Sequence, residues 1–120
     1  MNPSLTIPPN TTLFLRVNDR KETVSLTQVV RLQSDRNYTI LFLTDGRQII
    51  MAKTIGLFEQ MLPSFFIRIH RSHIVNFEHV SHCRHTAHYS RLVLKNGQSL
   101  DIAQRRWKWL LSTITKTEER

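Results

Sequence analysis

Apolar and polar positions alternate in short segments along most of the chain, a period-two pattern that predicts strands, and a helical period shows in two places. Thr12–Val17 is the first predicted strand, followed by the polar turn Asn18-Asp19-Arg20. Thr23–Leu26 and Val29–Ser34 come next. Tyr38–Thr44 and Arg47–Ala52 flank Asp45-Gly46, a two-residue hairpin signal. Such a loop pairs Phe42 with Ile49, Ile40 with Met51 and Leu41 with Ile50. Apolar pairs on both faces predict a strand between two packed layers. The same register sets Tyr38 opposite Lys53.

Ile55–Leu62 predicts a short helix, with Thr54 as its cap and Pro63 just past its end. Phe65, Ile67 and Ile69 then alternate with Phe66, Arg68 and His70, which puts Arg68 and His70 on the face away from the apolar one. A second hairpin is predicted at Asn96-Gly97. Its three-residue loop, Asn96-Gly97-Gln98, sets Leu94 against Leu100 and Leu92 against Ile102. The chain ends in a helix over about Gln104–Thr115, whose stripe of Trp107, Leu110, Leu111 and Ile114 packs on a sheet. Residues 1–11 read as a flexible arm broken by Pro3, Pro8 and Pro9, residues 12–116 as one domain, and residues 117–120 as a tail.

Composition narrows the role of such a domain. Lys and Arg number 17 against 9 Asp and Glu, a net charge of +8. With a pI near 10.6, this points to a polyanionic partner, nucleic acid above all. Cys83 is the one cysteine, so no internal disulfide argues for secretion. The apolar runs, such as Ile40-Leu41-Phe42-Leu43, fall far short of the ~18 residues of a membrane span. The N-terminus has no basic region of a signal peptide, so the expected compartment is the cytosol and no membrane partner is expected. Acidic residues are few and scattered, and there is neither a glycine-rich phosphate loop nor a nucleophile motif, so an enzyme is not expected.

The segment Phe66-Ile67-Arg68-Ile69-His70-Arg71-Ser72-His73-Ile74-Val75-Asn76 is a strand running into a loop loaded with donors. A guanidinium fork matches the O6/N7 edge of guanine or a phosphate, and imidazole and hydroxyl groups donate to the same acceptors. Asn76 is expected to fix the following turn through backbone groups.

This run, Phe-x-Arg-x-His-Arg-Ser-x-x-Val-Asn, resembles the signature of the LytTR DNA-binding domain, the output module of many bacterial response regulators. Asn37-Tyr38 before a hydrophobic strand, Asp45-Gly46-Arg47, Leu62-Pro63, Asn96-Gly97 and the Arg105-Arg106 pair fall where that family has them, so the resemblance covers about residues 13–112. It implies a mainly β fold, an elongated arrangement of small antiparallel sheets with a short central helix and a C-terminal helix. It also implies a transcription regulator whose loops enter successive major grooves of double-stranded DNA, with two copies on imperfect repeats. Three positions match the family's contacting loops: Arg36-Asn37-Tyr38, His70-Arg71-Ser72 and Arg105-Arg106. To these the strand reading adds Arg68, for phosphate, and Lys53, beside Tyr38. Ala103 and Gln104 stand where members commonly carry Ser and Arg, which removes a helix cap and a cation. No phosphorylation receiver fits in 120 residues, so control is expected through abundance, a regulatory protein partner or another effector.

His79, His82, Cys83, His85 and His88 crowd one hairpin with Ala87-His88 near its tip. As a strand, it puts His79, Cys83 and His85 on one face and His82 on the other. Without paired ligand spacing no metal or other cofactor is expected, although metal sensing or protein interaction through this hairpin is one alternative function. Single-stranded nucleic-acid binding is another, which needs exposed aromatic platforms where aromatic residues make up only 8% of the chain.

Overall fold

Strand-forming residues separated by polar turns build ten strands among residues 12–110, the part of the chain described by this structure, a computed structural model. β1 (Thr12–Val17) and β2 (Arg20–Ser25) form a two-stranded sheet. The central sheet has the order β5-β4-β3-β7-β6, made of β3 (Val29–Asp35), β4 (Tyr38–Leu43), β5 (Gln48–Met51), β6 (Phe66–His70) and β7 (His73–Asn76). β8 (Val80–His85), β9 (Ser90–Leu94) and β10 (Ser99–Asp101) form the third, in the order β10-β9-β8. Every pairing is antiparallel. The extents, 46 × 32 × 25 Å, are those of an elongated body. The mainly β architecture is therefore the one expected.

The central sheet carries a core on each face. On one side Leu32, Leu41, Phe66 and Ile74 pack with Leu13, Leu15 and Val24 of the first hairpin and with Ile55 and Phe58 of the short central helix, α1 (Ile55–Met61). On the other side Val30, Ile67, Ile69 and Val75 meet Leu92, Leu94, Leu100, Ile102 and Leu110. Arg31 stitches the two sheets of this second layer together. It is 6% exposed, its guanidinium lies 3.8 Å above the Phe42 ring, and it donates to Gln33 Oε1 (2.7 Å) and Gln98 Oε1 (3.2 Å). Burial pulls its pKa below the ordinary arginine value.

Four expectations need correction. Arg20 pairs with Val17 as the first residue of β2, so the turn is Asn18-Asp19 alone. Both of these residues take positive φ (52° and 65°), as a tight hairpin of matching twist requires. The Asp45-Gly46 hairpin has a three-residue loop, with the Leu43 N–H donating to the Arg47 carbonyl and Gly46 at φ 91°. Its register is one residue away from the expected one, with Leu41 opposite Ile49 and Ile40 opposite Ile50. A slip of one exchanges faces, so Ile50 points away from the core and is 59% exposed. Lys53 is consequently not opposite Tyr38.

The Asn96-Gly97 hairpin repeats this loop over Lys95-Asn96-Gly97, with the Leu94 N–H donating to the Gln98 carbonyl and Gly97 at φ 93°. Leu92 therefore faces Leu100. The slip here is two residues, which preserves the faces and changes only the partners. In both loops the aspartate or asparagine side chain accepts from the N–H two residues on, Arg47 and Gln98 respectively, each at 2.9 Å. That carboxylate or amide acceptor, with glycine to supply positive φ, selects a three-residue loop over a two-residue one.

The last correction concerns helix ends. Thr54 takes the cap position of α1 but makes no side-chain cap hydrogen bond. The final helix opens with a 3-10 turn, Gln104–Arg106, and continues as helix from residue 107 to the end of the described residues. Trp107 and Leu110 of the expected stripe pack into the second core. Leu111, Ile114, the N-terminal arm and the C-terminal tail lie outside the described residues.

Candidate nucleic-acid interface

Antiparallel topology decides which turns share an edge. β3 ends where β4 begins, at Arg36-Asn37, and β6 ends where β7 begins, at Arg71-Ser72. Because β3 pairs with β7 from Arg31↔Val75 to Gln33↔His73, both turns emerge from the same end of the central sheet. One hydrogen bond joins them directly, Ser34 N–H to the Ser72 carbonyl at 3.0 Å. The Gln104–Arg106 turn joins the same edge through Ala103 N–H to the Ile69 carbonyl (2.8 Å) and Arg106 Nη1 to the Arg68 carbonyl (3.2 Å). Lys53 follows β5 at this end as well, its carbonyl accepting from Thr39 Oγ1 at 2.6 Å. Its neighbours there are Phe14, Arg16, Lys21 and Glu22 of the first hairpin.

The three turns brought together in this way are those singled out in the sequence. Arg36, Asn37, Arg71 and Arg105 are exposed, and Tyr38 is 50% exposed, so Tyr38 does not complete the core. Arg36 adopts φ 60°, a left-handed conformation uncommon outside glycine, which closes its hairpin in two residues. His70, Ser72 and Arg106 are half-buried. His70 Nδ1 accepts the Ser72 N–H at 3.1 Å, which leaves Nε2 as the N–H donor of the neutral ring.

Arg68, expected at a phosphate, has its guanidinium turned onto the protein. Its side chain is 14% exposed and all three guanidinium nitrogens have partners within the protein. Nε donates to the His70 carbonyl (2.9 Å), Nη2 to the Arg71 carbonyl (2.6 Å) and Nη1 to Glu59 Oε1 of α1 (2.5 Å). Glu59 was not anticipated, and no sequence signal joins a residue on an exposed helix face to a strand nine positions later.

His73, next in the chain, has an enclosed Nδ1 without a hydrogen-bond partner among the described residues. Burial, then the positive charge of His70 and Arg31, opposed by Asp101, pull its pKa down to about 4. The ring is therefore neutral at pH 7. An unfolded histidine titrates near 6.5, so between pH ~6.5 and ~4 the unfolded chain binds the extra proton. Stability from this residue is complete above pH ~6.5 and is lost as pH falls toward 4, by about 2 kcal/mol after allowance for the solvent the ring still meets. Urea titrations at pH 7 and pH 4.5 are expected to differ by that much more in the native protein than in His73→Gln. Equal pH dependence of the two proteins would remove His73 as the cause.

The histidine hairpin differs from its expected facing. A bulge between Val80 and His82 breaks the alternation, and His79 lies in a 3-10 turn. The rings have separate partners: His79 with the Thr27 carbonyl, His82 with Ser81 Oγ, and His85 with Ser90 Oγ (2.7 Å) while stacked at 4.3 Å on Trp107. Cys83 packs against the second core. No group of three or more His, Cys, Asp or Glu among the described residues could hold a metal ion. Nor is any described helix long and apolar enough to cross a membrane.

Comparison with known proteins agrees with this architecture. The profile of a family described as LytTr DNA-binding domain matches residues 19–115. Among solved structures, the LytTr DNA-binding domain of a putative methyl-accepting/DNA response regulator from Bacillus cereus superposes with a TM-score of 0.74. The two share 23% identity over 88% of this chain and 97% of that one, a likeness that establishes the common fold. No curated protein matches the chain.

Proposed function

The chain belongs to the LytTR family of DNA-binding, transcription-regulating domains, and from that premise we propose that it reads specific duplex sequences through three turns of one sheet edge. The turns are Arg36-Asn37-Tyr38, His70-Arg71-Ser72 and Arg105-Arg106, set into successive major grooves on one face of the DNA. Arg71 is the principal base reader, Arg36 and Arg105 supply guanidinium groups in the flanking turns, and Lys53 adds a phosphate contact at the end of the row. Its role is binding rather than catalysis. Two copies occupy imperfect repeats, and a regulatory partner protein supplies the input.

The observation that carries this reading is the bonding of carbonyls at the end of β6 and in the turn after it to neighbouring elements. The carbonyls of Arg68, Ile69 and Ser72 accept from Arg106, Ala103 and Ser34, so three donor-bearing turns are held as one unit. A groove reader needs donors preorganised in this way, because ordering them on binding would cost affinity.

The test uses a duplex selected by the protein from a random library, with a scrambled duplex of equal length as control. Arg71→Ala is expected to lose about 1–3 kcal/mol on the selected duplex and less on the scrambled one. Equal losses on both would reduce Arg71 to a phosphate contact. The spacing of the selected repeats reports how many copies bind, and competition by single-stranded RNA tests the single-stranded alternative.

A further inference from the structure

Building on this assignment of the contacting turns, we infer that Arg68 is a positioning residue for the Arg71 turn, clamped in place by Glu59 of α1. The ladder between β6 and β7 pairs Arg68 with Ile74 and then jumps to His70 with His73, a bulge that leaves Ile69 out of register. A bulge followed at once by a tight turn leaves carbonyls without ladder partners, and a partly buried carbonyl must find another donor. Arg68 supplies donors to two of them, the His70 and Arg71 carbonyls. The guanidinium is planar, so fixing two carbonyls at its edge fixes the orientation of the peptide groups that bear His70 and Arg71.

Glu59 completes the arrangement from the other side. Its carboxylate takes the remaining nitrogen and holds the plane of the fork. The carbonyl of Arg68 itself accepts from Arg106, so the same residue links α1, the central turn and the turn that opens the last helix. A side chain 14% exposed, with its three nitrogens engaged, has little left for a phosphate. Its chemistry suits the geometry of Arg71 and the distance from Arg71 to Arg105 better than it suits direct contact.

Lysine separates the two roles. It keeps the charge and can meet a phosphate, but a single ammonium cannot span two carbonyls and a carboxylate in one plane. Arg68→Lys is therefore expected to weaken binding to the selected duplex about 10- to 100-fold, as loss of hydrogen bonds to a charged group implies. Binding to the scrambled duplex and the dependence of binding on salt are expected to stay as in the native protein. In the protein without DNA, the backbone amides of residues 70–73 are expected to exchange hydrogen roughly tenfold faster, as for a locally loosened turn. Glu59→Gln, at an exposed position that folding tolerates, is expected to shift both readouts in the same direction by less.

Native-like affinity and exchange in Arg68→Lys would overturn the inference. So would an equal loss on both duplexes in Arg68→Ala, with restoration by lysine and a salt slope shallower by about one, the behaviour of a phosphate contact. If Arg71→Ala leaves binding unchanged, the assignment of the contacting turn fails instead. The exchange measurement then still decides whether Arg68 shapes that turn.

Discussion

Asn76→Ala is expected to destabilise the domain by about 3 kcal/mol, the largest loss from any single polar side chain described above. Asn76 is fully buried at the end of β7. Its Nδ2 donates to the Leu26 carbonyl (3.2 Å) and the Val29 carbonyl (2.9 Å), and its Oδ1 accepts the Glu78 N–H (2.9 Å). Truncation removes the amide's bonds to the Val29 carbonyl and the Glu78 N–H where water enters poorly, and leaves the Leu26 carbonyl with only the Val29 N–H; an unmade bond at such a place costs more than an ordinary hydrogen bond contributes. Asn76→Asp is expected to be no better, because a carboxylate would face the two carbonyls and has no proton to donate at neutral pH. Thermal melting monitored by circular dichroism reads the result, a midpoint lowered by roughly 15 °C for a domain of this size. A loss below about 1 kcal/mol would mean that the chain relaxes around the gap and that the amide does not hold β7 to the Leu26–Gln28 turn.

Salt is expected to have a still larger effect on DNA binding. The chain carries +8, and Arg36, Arg71, Arg105 and Lys53 are exposed at or beside the proposed interface. Arg47 and Arg91 are set against Asp45 and Asp101 and contribute less. If about six phosphates are neutralised, log K falls with log salt at a slope near −5, about a thousandfold between 50 and 200 mM. Fluorescence anisotropy with a labelled duplex measures this directly. The slope should be nearly as steep on a scrambled duplex, since phosphates carry most of it. A slope shallower than about −2 would leave the basic edge without its polyanion.

Much of this molecule is legible along the chain because local physics decides it. Alternation locates most of the strands, since a half-buried strand needs an apolar residue at every second position: β1 has the predicted bounds and β3 to β6 lie within a residue or so of theirs, whereas β7 lies inside the run read as a loop. The donor-rich run from Arg68 to Ser72 stands out by composition alone, and the backbone-bonding role expected of Asn76 follows from what a short amide side chain does in such a place.

What the chain alone left undecided is whatever depends on two distant segments meeting. Register differs from the expectation in both glycine hairpins, by loop length at Asp45-Gly46 and by the residue that opens the three-residue loop at Asn96-Gly97, because turn residues mark where a hairpin lies more firmly than which residues flank it. Packing of Leu41 on Ile49 and Leu92 on Leu100 selects the register. Arg68 looks like any outward cation on a strand until α1 brings Glu59 across it and the bulge turns two carbonyls its way. The gathering of three turns on one edge has the same origin. Which cations the chain owns is written residue by residue, whereas which of them face outward together is set by strand order and by a few long-range hydrogen bonds, and neither has a local signature.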